Sequence, residues 1–425
     1  MRLSRPIVIV ALSIFLLLVA AVSIYKWQRA DKYRIARFPH PPVFQYTIDK
    51  PDSSDNSLIL LSPYKLSRWI DGQLLIIDKT GRIHYQKNFK GAPFCFRQWN
   101  INGHTRYTFL IDDSHVFHIP KISLAAGYAV VLDDKLNIIK EIRLLPYADL
   151  TTANHHGLDL HDLILLSDDH YIIGTVVQKQ VNNVPARLNP AKELVVDVPI
   201  IQEVNQGRVV WQWDASRFPE LYEASILDNN FSDTASKLDY LHINSFTLDP
   251  KDSNLVCSFR HTNQIIKISR KSGEILWKLG GTNSDFPLST EQVFLGQHSV
   301  TFADDNQTLL IFDNGDSTKR KQTRILEMQL DEKNKHINNC EIFNIPEPFS
   351  LYMGSVAKKG DIYFIAGGTG NYLLEINKRT GKKLFEMHCN LALYRAYTIP
   401  VNTAIPEAID QQCKLLKDSA EISHK

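Results

Sequence analysis

The chain has 425 residues, 44% of them hydrophobic and 22% charged, which is a globular composition. Lysine and arginine total 48 against 46 aspartates and glutamates, a net charge of +2. With no basic bias and no basic stripe interleaved with aromatics, nucleic acid is excluded as the expected partner. The five cysteines, Cys95, Cys257, Cys340, Cys389 and Cys413, form no Cys-x-x-Cys pair, so neither a structural zinc site nor a thioredoxin-like centre is expected.

The amino terminus opens with an uncharged run from Pro6 to Tyr25, preceded by Arg2 and Arg5. About 20 apolar residues span a bilayer as a helix. Residues 1–27 are therefore expected to form a signal anchor or single transmembrane helix. A cleaved signal peptide is the alternative, because Ala21-Val22-Ser23 offers a modest cleavage site. Both readings export the rest of the chain, so it is expected on the periplasmic side of a membrane, or secreted or periplasmic if the signal is removed. Lys26, Arg29, Lys32, Arg34 and Arg37 follow the run and blur the charge asymmetry that sets orientation.

Residues 28–65 read as a linker and lead-in, with Phe38-Pro-His-Pro-Pro42 breaking any helix. From residue 66 the pattern changes to short apolar or alternating runs separated by Asp, Asn, Gly and Lys-Ser-Gly turns. Gly72–Asp78 followed by the turn Lys79–Arg82 is one example. These runs recur as a unit. One copy takes 241–249, 254–260, 264–269 and 274–279; the next starts at Gln297 and a third at Met353. An earlier copy opens at Leu158–His161 and closes at Arg208–Trp213. His242 to His298 is 56 residues, and His298 to Gly354 is again 56. Four strands per period is a propeller blade, and 66–400 holds about six of them. The expected fold is an all-β six-bladed propeller over 66–400, with a tail at 401–425 in which Glu407–Asp418 reads as a helix.

In a propeller the innermost strand of each blade lines the central channel. His161, His242 and His298 fall at or near the start of three such strands. The hairpin turning at Pro250–Ser253 sets Arg260 beside His242 and Asn244. Three imidazoles, one guanidinium and one amide thus converge from separate stretches of sequence. A metal site built on His155, His156, Asp159 and His161 matches no familiar ligand spacing, and Arg260 nearby opposes a cation. No metal is expected. Asp313-Asn-Gly-Asp316 reads as a turn rather than a calcium loop, because the later glutamate is missing.

Leu241-His-Ile-Asn-Ser245 with Arg260 in Phe259-Arg-His-Thr-Asn263 resembles the substrate-binding motif of bacterial arylsulfotransferases. Leu276-Trp-Lys-Leu-Gly-Gly281 followed by Gly296-Gln-His-Ser299 is similar to the segment holding that family's nucleophilic histidine. Leu160-His-Asp162 and Tyr394-Arg-Ala-Tyr397 resemble its upstream histidine and its closing segment. The resemblance covers roughly 70–400. It implies a six-bladed propeller that moves a sulfuryl group from an aryl sulfate donor to a phenolic acceptor through a sulfohistidine, without phosphoadenosine phosphosulfate or any other cofactor. On this reading His298 is the nucleophile, and His161, His242, Asn244 and Arg260 bind the sulfuryl group.

The residue types suit that chemistry on their own terms. A sulfuryl group in transfer carries charge on three outer oxygens, as a phosphoryl group does, and needs fixed donors. Arg260 offers a planar fork, and the histidines and Asn244 offer single N–H groups. No Gly-rich phosphate loop is present in the sequence. Two other functions compete: a non-catalytic membrane-anchored scaffold, and a quinone-dependent dehydrogenase, which calls for a calcium site and a different blade signature.

Overall fold

A computed structural model describes residues 44–65, 72–89, 91–112, 125–148, 150, 157–235 and 238–400. The apolar run 6–25, the tail segment 407–418 and His155 and His156 lie outside the described residues. Among the described residues, no helix is long and apolar enough to cross a membrane.

Six antiparallel sheets follow one another as the blades of a propeller. Blade 2 takes Ala92–Ile101, His104–Asp112, Ala125–Leu132 and Ile138–Ile142; blade 3 takes Leu163–Ser167, His170–Val181, Leu194–Asn205 and Arg208–Asp214. Blade 4 holds Ile243–Leu248, Leu255–Phe259, Gln264–Ile268 and Ile275–Gly280, and blade 5 holds His298–Phe302, Leu309–Asp313, Arg324–Asp331 and His336–Asn344. These match the repeat read from the 56-residue spacing to within a few residues. Burial explains the two kinds of run. The second and third strands of blade 4 are buried at every position, because neighbouring blades cover both their faces. Outer strands such as His336–Asn344 are exposed or half-exposed throughout.

Closure joins the two ends of the chain twice. The innermost strand of blade 1 is Ala392–Ile399, paired with Leu58–Tyr64, which continues into Gly72–Asp78 and Ile83–Phe89. Blade 6, Ser355–Lys359 to Lys383–Cys389, gains a fifth, outermost strand from Tyr46–Lys50. The propeller therefore begins earlier than residue 66. Both Tyr46–Lys50 and Leu58–Tyr64 lie in the stretch read as linker and lead-in, and each has a pairing partner over 300 residues away, Lys383–Cys389 and Ala392–Ile399. Blade 3 also starts later than expected, at Leu163: Leu158–Asp159 pairs instead with Ala125–Leu132 of blade 2. The four described cysteines are free thiols.

Ion pairs recur between blades at one position, just after the third strand of a blade, where the side chain reaches back to the third strand of the blade before. Arg270 meets Glu203 at 2.5 Å, Lys378 meets Glu327 at 2.8 Å, and Lys79 meets Glu375 at 2.5 Å. Between blades 4 and 5 the signs are exchanged: Glu332 meets Lys267 at 2.7 Å. Lys267 is 1% exposed, and Asp249 and Asp252 complete its shell at 2.7 and 2.8 Å. Removing the ammonium leaves three carboxylates facing one another. Lys267→Met should cost about 3–5 kcal/mol in denaturant unfolding. Arg379→Met breaks only the exposed pair with Asp361 and should cost no more than about 0.5 kcal/mol. Equal losses would contradict the inter-blade role.

Candidate active site

The site lies where the inner strands of blades 3, 4 and 5 begin. His242 sits one residue ahead of Ile243–Leu248 with φ 54°, and its carbonyl accepts the Arg260 N–H at 2.9 Å. Arg260 leaves Leu255–Phe259 and opens a single 3-10 turn over Arg260–Thr262. His298 is the first residue of its strand. Bulges break the ladder between Ile243 and Ser245 and between His298 and Val300, with Ser299 at φ 49°. Each inserts an extra residue that turns the start of the strand away from the regular alternation.

The expected grouping of His161, His242, Arg260 and His298 is present. The His161 and His242 rings meet edge to face with centroids 5.2 Å apart, and Tyr394 lies 5.6 Å from His161 on another side. His298 is within electrostatic reach of Arg260, His161 and His242. Burial first, and then the Arg260 charge, hold its imidazole well below the usual histidine range, so it is neutral at pH 7.

Every imidazole is held by its Nδ1 edge. His161 Nδ1 bonds Asp159 Oδ1 at 2.7 Å, and His242 Nδ1 bonds Asp239 Oδ2 at 2.6 Å. His298 Nδ1 bonds Asn314 Oδ1 at 2.8 Å and the Gly296 carbonyl at 3.1 Å. Among the described residues, the three Nε2 atoms have no hydrogen-bond partner. Arg260 is the other uncommitted group. Its guanidinium makes no ion pair or side-chain hydrogen bond among the described residues, and its Nε is sealed from solvent. It lies 4.9 Å from the centre of the Tyr352 ring, a cation–π contact. Burial pulls its proton affinity down, which an arriving anion would reverse.

Asn244 is the extra residue of the bulge between Ile243 and Ser245, and its side chain is fully buried. One N–H goes to the Gln297 carbonyl at 2.7 Å, and its Oδ1 is left buried without a partner. Its own carbonyl accepts Tyr394 Oη at 3.0 Å and Arg395 Nη2 at 3.1 Å.

Several residues of the site escaped the sequence reading. Asp239 has no motif around it, and Asn314 was absorbed into an apparent turn, Asp313–Asp316. That segment is in fact a hub: buried Asp313 binds Arg320 at 2.5 Å and Arg324 at 2.8 Å, which fixes the loop beneath His298. His261 stacks on His242 with centroids 4.7 Å apart and planes 19° from parallel. Burial, with the charge of His242, pulls its pKa down to about 4. Asp239, His242 and His261 bring ligand atoms within 4.8 Å of one another. A shared metal is disfavoured, because stacked rings direct their lone pairs side by side rather than toward one point. Both Nδ1 atoms are also already bonded to Asp239 oxygens.

Known proteins narrow the reading. No curated protein matches the chain. Among solved structures, a protein of unknown function from Bacteroides caccae is 12% identical with a TM-score of 0.44, covering 81% of this chain and 98% of its own. The periplasmic gluconolactonase of Pseudomonas aeruginosa is 9% identical with a TM-score of 0.42, covering 81% and 99%. A streptogramin B lyase is 13% identical with a TM-score of 0.38, covering 82% and 98%. Likenesses this distant say nothing about activity. The profile of Arylsulfotransferase (ASST), in contrast, matches residues 137–398, well over half of the chain and all of the blades that carry the histidine cluster. The chain belongs to the arylsulfotransferase family.

Proposed function

We propose that the protein transfers a sulfuryl group from an aryl sulfate to a phenolic acceptor through a covalent intermediate on His298, with no nucleotide donor. The observation that carries this reading is the half-buried, unpaired Arg260 guanidinium, its Nε sealed from solvent, beside three imidazoles whose Nε2 atoms have no partner among the described residues. Withdrawing part of a cation from water without a counterion is destabilising, and an arriving anion offsets that cost. A scaffold has no use for that arrangement, which disfavours the non-catalytic alternative.

Arg260 holds the sulfate oxygens. The Nε2 lone pair of neutral His298 attacks sulfur as the S–O bond to the aryl group breaks, and the bond pair leaves on the phenolate oxygen. The sulfated ring keeps its Nδ1–H and becomes cationic, balancing the charge of the sulfuryl group. The departing phenolate, with a pKa near ~10 when unactivated, takes a proton from Nε2 of His242 or His161. In the second half the acceptor phenol returns a proton to that histidine. Its oxygen attacks sulfur, and the N–S bond pair goes back to His298. Tyr352, 41% exposed and lying over Arg260, supplies an aromatic face at the anion site. In this reading the 6–25 run anchors the enzyme to a membrane with the propeller outside the cytoplasm.

Five outcomes check this. With a nitrophenyl sulfate as donor, nitrophenol release should depend on an added phenol. His298→Ala should lower the rate by about 10⁴-fold or more, and Arg260→Ala by about 10²–10³-fold. Undiminished transfer in His298→Ala would reject the assignment. Because the folded His298 pKa is lowered, its lone pair persists as pH falls through ~6.5, the unperturbed value. The acid limb of kcat/KM should therefore lie well below pH 6.5, and half-loss near 6.5 would contradict a buried neutral nucleophile. Amino-terminal sequencing of the mature membrane fraction should find the 6–25 segment retained; a start at Ile24 would show cleavage.

A further inference from the structure

We infer that Asn314 is the positioning residue that makes His298, rather than His161 or His242, the imidazole that takes the sulfuryl group. This rests on the sulfotransfer reading and deepens it. Asn314 donates both of its N–H bonds, to the Ser350 carbonyl at 2.9 Å and the Met353 carbonyl at 2.8 Å. An amide so committed can present only its oxygen to a third neighbour. That neighbour is His298 Nδ1, which therefore carries the hydrogen, and the Gly296 carbonyl on the same edge makes the same demand. In the neutral ring the lone pair then resides on Nε2.

The other two rings share this tautomer, since Asp159 and Asp239 also accept from Nδ1. They differ in charge. A carboxylate at Nδ1 offsets the positive ring formed when Nε2 holds a proton, as in a catalytic triad. An amide offers no such offset. A protonated His298 would face the Arg260 cation, His161 and His242 with no anion in contact. Asp313, next to Asn314 in the chain, is bound to Arg320 and Arg324. So the amide-backed ring keeps its lone pair for sulfur, and the carboxylate-backed rings hold and return the proton. The backing residue divides three similar histidines into one nucleophile and two proton carriers.

Asn314→Asp in the full-length protein tests this. It keeps an oxygen at Nδ1 but adds the missing anion. The acid limb of kcat/KM should move to higher pH by at least about one unit. Asn314→Ala frees the ring and should lower kcat by about 10²-fold with no upward movement of that limb. If both variants lose activity alike with the limb unmoved, Asn314 is merely structural and the inference falls. A wild-type measurement covers misfolding of either variant. In ¹⁵N-histidine-labelled protein, with His298→Gln used for assignment, the His298 ring should show the Nδ1–H tautomer. An Nε2–H tautomer overturns the inference even in an active enzyme. Conversely, transfer surviving in His298→Ala would sink the sulfotransfer reading while leaving the measured tautomer untouched.

Discussion

The ion pair between Arg395 and Asp162 is the contact on which the centre of the molecule depends. Arg395 belongs to Ala392–Ile399, the strand that closes the ring by entering the first blade from the far end of the chain. Its Nη1 binds Asp162 Oδ2 at 2.7 Å and its Nη2 binds the Asn244 carbonyl at 3.1 Å. Asp162 in turn accepts the N–H groups of Leu163 and Phe246, the second at 3.1 Å. One guanidinium therefore ties the closing strand to the blades that carry His161 and His242. All these groups are buried, so the network is strong while complete and costly to break. The closing strand and the strands that carry the site thus share one hydrogen-bond network.

Two arginines at the centre thus do opposite things. Arg395 has its carboxylate, and its affinity for its proton rises well above the ordinary value through Asp162. Arg260 has none, and its affinity falls through burial. A fold can hold an uncompensated cation only if the surroundings are stiff and stable. Here the inter-blade ion pairs beyond the third strands supply that stiffness at a distance from the site. They are charge-matched wherever the centre is not.

The architecture was legible in the sequence because it is periodic. Equal spacing from His242 to His298 to Gly354 marks blades without any pairing information, and strand starts at one mouth follow from topology. Arg260 beside His242 was legible too, because a hairpin register is local. Tyr46–Lys50 and Leu58–Tyr64 were hidden, since each closes the ring against a strand over 300 residues away and no local pattern reports a pairing so distant. Asn314 and Asp239 were hidden for another reason. Each acts through a histidine elsewhere in the chain or around a turn, and Asp313-Asn-Gly-Asp316 is turn chemistry in sequence whether or not a ring rests on it.

The central claim is that the group in transit rests on His298. Incubating the protein with an aryl sulfate and no acceptor, then measuring intact mass and digesting, tests it most directly. The account predicts one added sulfuryl group per chain, on the peptide containing His298, lost in acid as an N–S bond would be and discharged by a phenol. Turnover of donor to acceptor with no such adduct, or an adduct on a different residue, would contradict it.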